Sequence, residues 1–106
     1  MGQPDMSQII AEAQAMQARL QVAQQEILAS TVEGVAGNGL VKATIDGTGK
    51  AIALNISPEV VDPSDLDTLQ DLVLGALSDA HQKLAKLAEE KMGPLAQGMD
   101  SLGGIF

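Results

Sequence analysis

The hydrophobic pattern changes period twice along these 106 residues, and this limits the fold more than any other feature. Met6, Ile9, Ala13, Met16, Leu20, Ala23 and Ile27 follow one another at steps of three and four, a heptad stripe widened by Ile10 and Leu28. No Gly or Pro interrupts it, and Gln14, Gln17, Gln21, Gln24 and Gln25 occupy other faces. The spacing predicts a helix over Ser7–Ala29, capped at its start by Asp5 or Ser7. The period then drops to two. Thr31, Val32 and Val35 favour a strand over Ser30–Ala36, Val41, Ala43 and Ile45 alternate with Lys42, Thr44 and Asp46, and Ile52, Leu54 and Ile56 alternate with Ala51, Ala53 and Asn55. Gly37-Asn38-Gly39 and Gly47-Thr48-Gly49 supply the turns, which predicts a three-stranded antiparallel meander with one apolar face. Pro58 ends the third strand and Glu59-Val60-Val61 connects onward.

The helical period returns after Asp62-Pro63-Ser64-Asp65, which reads as a helix start with Asp62 as cap and Pro63 as the first helical residue. Leu66, Leu69, Val73, Ala76, Ala80, Leu84 and Leu87 form its stripe, with Leu72 and Leu77 beside it. The pattern runs to about Met92, where Gly93-Pro94 is the expected stop. The order α-β-β-β-α predicts a two-layer α+β fold. It is expected as a single domain over 1–94, with a flexible Gly-rich tail over 95–106.

Such a fold does not cover itself. The first helix is about 35 Å long, whereas short strands span about 20 Å, so one small sheet cannot reach the ends of both stripes. The sheet also has two edges. With aromatics at 1%, the core must be built from Leu, Ile, Val, Ala and Met, which bury less area apiece. A homodimer is the expected solution.

Composition excludes several functions. Without Cys there is no disulfide framework, thiolate zinc site or Cys nucleophile. No apolar run approaches the roughly 20 residues of a membrane helix, and no basic leader with an apolar stretch is visible. Base stacking on aromatic platforms has one Phe, Phe106, to draw on. A net charge of -8 opposes a broad phosphate-binding surface.

The apparent motifs reduce to structure. Gly47-Thr48-Gly49-Lys50 resembles the end of a phosphate loop, but Thr44 and Ala51 stand where that loop needs Gly and Ser or Thr, and a strand follows. Gly34, Gly37 and Gly39 have the wrong spacing for a dinucleotide fingerprint and read as turn residues. Asp62, Asp65, Asp67 and Asp71 lack the Gly and closing Glu of a calcium loop and suit a helix start. His81 is the single histidine and has no companion ligand, so no metal or catalytic role is expected. Asn55-Ile56-Ser57 matches a glycosylation acceptor that has no secretion signal behind it. No cofactor and no catalysis are expected.

Several segments together resemble the YbaB/EbfC family of bacterial nucleoid-associated proteins, over about the whole chain. They are Met6-Ser7-Gln8, Ala13-Gln14-Ala15-Met16-Gln17, Val32-Glu33-Gly34, Ala36-Gly37-Asn38-Gly39 with Val41-Lys42, Gly47-Thr48-Gly49, Leu69-Gln70-Asp71-Leu72-Val73 and Met92-Gly93. The most specific is Pro58-Glu59-Val60-Val61-Asp62-Pro63, preceded by Ile56-Ser57. The resemblance implies a homodimer whose helices project like the arms of tweezers, double-stranded DNA as partner, a cytoplasmic place on the nucleoid, and a role in chromosome organisation and gene regulation. Arg19, Lys83, Lys86 and Lys91, with Lys42 as the weaker member, are then the candidates for phosphate contact. The first helix carries only Arg19 where relatives often carry several Lys, so few contacts and a shallow salt dependence are expected. The charge supports an alternative. An acidic dimer would bind a DNA-processing protein and little or no DNA, with Met99, Leu102, Ile105 and Phe106 as a docking peptide.

Overall fold

The computed structural model describes residues 6–103. Its elements are α1 (Met6–Leu28), β1 (Thr31–Ala36), β2 (Val41–Asp46), β3 (Ala51–Ile56), a 3-10 turn at Pro58–Val60 and α2 (Leu66–Gly103), the predicted order. The strands pair antiparallel in the order β1-β2-β3. Gly37 and Asn38 have φ of 60° and 58°, the left-handed pair that a tight hairpin turn demands, and the Gly39 amide donates to the Ala36 carbonyl at 3.2 Å. The second turn is held by Asp46, whose carboxylate accepts from the Thr48 amide and hydroxyl and from the Lys50 amide.

Both ends of α2 differ from expectation. Asp62 does not cap the helix. Its carboxylate accepts from the Ser64 amide and hydroxyl, and its carbonyl accepts from the Asp65 amide, which makes Pro63 the second residue of a turn. Asp65 caps instead, bonding the Thr68 hydroxyl at 2.6 Å and the Thr68 amide at 3.3 Å. The helix also runs through Gly93-Pro94 to Gly103, where a stop and a tail were expected. Gly93 is not among the residues with positive φ, so it forms no left-handed cap. Pro94 removes one backbone donor, and the helix formers on both sides carry the conformation across it. The expected cap Asp5 and the tail residues 104–106 lie outside the described residues.

β2 shows a clean alternation, with Val41, Ala43 and Ile45 fully buried and Lys42, Thr44 and Asp46 on the opposite face. Over this face lies α2, placed chiefly on β1 and β2. The approach is set by small residues. Gly34 sits mid-strand in β1 opposite Ala43, not in a turn, and a Cβ there would overlap the Ala76 carbonyl oxygen and the Ala80 amide. Ala76 and Ala80 are themselves fully buried, so backbone packs on backbone. Gly47 plays the same part for α1, since a Cβ there would overlap the Ile27 carbonyl and Leu28.

Little is left inside. Among the described residues the buried hydrophobic core is Ala23, Val41, Ala43, Ile45, Ala76 and Ala80, with Ile45 and Val41 the largest fully buried side chains. Because α2 sits over β1 and β2, all of β3 is exposed, and its apolar residues Ile52, Leu54 and Ile56 keep 52%, 45% and 37% of their surface open. Ile56 joins Leu69, Gln70, Val73 and Leu74 around an open groove of about 400 Å³. The N-terminal end of α1 is uncovered too, with Met6, Ile9 and Ile10 exposed. The molecule measures 78 × 23 × 16 Å, and its radius of gyration of 20.9 Å far exceeds the roughly 13 Å of a compact chain this long.

Candidate nucleic-acid interface

Six basic side chains are available to attract an anion, and the fold treats them unequally. In the middle of α2, Lys83 and Lys86 lie three residues apart and neighbour one another on the helix surface. Lys83 turns toward β1. Its ammonium donates to the Glu33 carbonyl at 3.1 Å and pairs with the Asp79 carboxylate at 3.0 Å. Asp79 in turn accepts from the Val35 amide at 2.9 Å, so the two side chains bond the backbone of β1 from outside. The Val35 N–H and then the Lys83 ammonium hold the Asp79 carboxyl below its ordinary range. Lys91 turns toward α1 and pairs with Glu26 at 3.0 Å. Lys86 points to solvent, and among the described residues it has no hydrogen bond or ion pair.

Arg19 is exposed on α1 without a partner among the described residues. It lies one heptad before Glu26 and therefore on the same flank of the helix. Lys42 is exposed on the far face of β2, away from α2, and Lys50 stands beside the β2–β3 turn. The structure thus brings Arg19, Lys86 and Lys91 onto the helical arm made by α1 and α2. It commits Lys83 to the sheet edge and leaves Lys42 on another side of the molecule. Sequence reasoning named no partners for these cations. Asp79 and Lys83 were legible as an i, i+4 pair, whereas Glu26 and Lys91 are 65 residues apart and nothing in the pattern joins them.

The other singled-out residues are structural. His81 is exposed on α2, with Nδ1 2.8 Å from the Leu77 carbonyl and Nε2 3.0 Å from the Gly49 carbonyl, which ties the helix to the β2–β3 turn. The Thr48 hydroxyl foremost, with amides of the same turn, lowers the Asp46 carboxyl, and the Ser64 hydroxyl lowers that of Asp62. Among the described residues no three His, Asp or Glu side chains gather as a metal site. No helix there is long and apolar enough to cross a membrane.

Residues 1–99 match the model of the YbaB/EbfC DNA-binding family. The chain belongs to this family. A nucleoid-associated protein of Corynebacterium glutamicum is 65% identical to it over the full length of both chains. One from Corynebacterium diphtheriae is 61% identical, again end to end. One from Rhodococcus opacus is 55% identical over 98% of this chain and 91% of its own. An uncharacterized protein of Helicobacter pylori shares the fold, with a TM-score of 0.63 at 22% identity over 92% of this chain and 98% of that one. YbaB/EbfC proteins are described by DNA binding, not by a reaction.

Proposed function

We propose that the protein binds double-stranded DNA as a homodimer on the nucleoid, in the cytoplasm, and serves chromosome organisation and gene regulation. Membership of a DNA-binding family over residues 1–99 carries this reading. Arg19, Lys86 and Lys91 on the helical arm are its phosphate contacts, with Lys83 beside them and Lys42 the outlying member.

The dimer is supported by surface area. A compact monomer of 10.9 kDa exposes about 5,600 Å². This chain exposes 7608 Å². The excess of about 2,000 Å² per chain would make an interface of about 4,000 Å² in total, the range of obligate homodimers. The open flank formed by β3 and the adjoining side of α2, with Ile52, Leu54, Ile56, Leu66 and Leu74, is the place to bury it.

The test is fluorescence anisotropy of a labelled duplex at low and at physiological salt. Binding should saturate and weaken with salt. Arg19→Ala and Lys86→Ala should weaken it without altering stability, since neither side chain has a partner among the described residues. The Lys83/Lys86/Lys91→Ala triple variant should lose it. An absence of binding at low salt would overturn the reading. One observation favours the rival reading, an acidic module for a DNA-processing protein. The chain carries a net charge of -8, and two of its candidate lysines already hold carboxylates. Partner capture that survives the triple lysine variant but needs residues 95–106 would establish it.

A further inference from the structure

The lysines of the arm are already engaged. An ammonium group has three N–H donors. On Lys83 one faces Asp79 and another the Glu33 carbonyl, and on Lys91 one faces Glu26. A phosphate oxygen arriving at either lysine meets a carboxylate 3.0 Å from the same nitrogen. The two anions compete for one cation and repel each other. One member of each pair is exposed and the other half-buried, with Glu26 and Lys83 the exposed members, so exchange with a second anion is open to them. Resting on the DNA reading above, we propose that Glu26 and Asp79 are built-in competitors of DNA phosphate, which offset the charge of the Lys91 and Lys83 ammonium groups and set the affinity of the arm.

The carboxylates have a cost and a use. They lower affinity for DNA at every site alike, because phosphates carry no sequence information. They leave Arg19 and Lys86 as the uncommitted cations of the arm for the first encounter. A phosphate that then captures Lys91 takes it from Glu26, the ion pair that joins α1 to α2.

The test compares neutralised competitors with neutralised bystanders of equal charge. Glu26→Gln and Asp79→Asn keep an acceptor oxygen for the amide or ammonium beside them. Glu12→Gln lies on the same flank of α1 as Glu26, and Asp71→Asn two turns before Asp79 on α2, and neither acid has a partner among the described residues. Duplex binding is measured by anisotropy across a salt series, with thermal unfolding alongside to check folding. Glu26→Gln and Asp79→Asn should each tighten binding roughly two- to five-fold beyond their controls. Each freed lysine should steepen the slope of log K against log salt by up to about 0.9. A variant that only matches its control strikes that carboxylate from the proposal, while binding by the unaltered chain leaves the DNA reading standing. Failure of every chain to bind at low salt overturns both. Side-chain ammonium NMR of the unaltered protein gives a check without substitution. On titration with duplex, Lys86 should shift first, and Lys83 and Lys91 only as they exchange partners. Simultaneous shifts from the first addition would count against the proposal.

Discussion

The two edges of one small sheet are built to opposite ends. At β1, the Val35 amide donates to the Asp79 carboxylate and the Glu33 carbonyl accepts from Lys83, so side chains of α2 occupy groups that another strand would need. The helix backbone lies directly on Gly34 behind them. At β3, all six residues are exposed, and among the described residues no group outside the sheet bonds its free edge. Unpaired strand edges invite strand addition, and proteins block those they do not use. The helix α2 has sealed one edge and left the other with its apolar residues showing.

Substitutions that break this contrast differ in size. The largest effect belongs to Gly34→Ala, since the added Cβ overlaps helix backbone that has no flexible end to yield. It should cost about 3 kcal/mol, read as a lower urea midpoint. Gly75→Ala is the counter-test on the same helix. Its Cβ would sit 3.5 Å from that of Ala36, an ordinary contact, so removing a mid-helix glycine should stabilise by up to about 1 kcal/mol.

Next comes Leu54→Lys on the open side. It should leave the fold of the single chain nearly intact and weaken self-association by a factor of about 30 or more in sedimentation velocity, as loss of an interface anchor does. Unchanged association would place the contact elsewhere.

The smallest effect is a pH dependence at the sealed edge. The Val35 amide and Lys83 depress the Asp79 carboxyl in the folded protein below its ordinary 3.8. A depressed folded value means that the ionised form supports folding. This contribution is complete above 3.8 and fades as pH falls through the lower, folded value. The urea midpoint of the unaltered chain should therefore drop as acid is added below about pH 4, and part of that drop should vanish in Asp79→Asn.

Much of this architecture is legible in the residues because each element carries its own period. The heptad stripe of α1, the alternation of β2 and the glycine turns need no knowledge of the rest of the chain. The placement of α2 on β1 and β2 is a different matter. It depends on Gly34, Ala76 and Ala80 being small together, a fact of three distant positions that no local pattern displays, and Gly34 reads locally as a turn. The stop expected at Gly93-Pro94 fails for a related reason, since breaker residues act through backbone geometry and Gly93 does not take up the left-handed conformation of a cap. Of the candidate site, the basic residues were visible as types. Their carboxylate partners were not, because Glu26 and Lys91 meet only when α1 folds back against α2.

The sealed edge has a further consequence for how the protein accumulates. A strand that joins β3 of one chain through β3 of another consumes the open edge of both. What remains on each outer side is β1, already occupied by Asp79 and Lys83. Growth would then have nowhere to continue, and association through β3 would end in a closed pair instead of a filament.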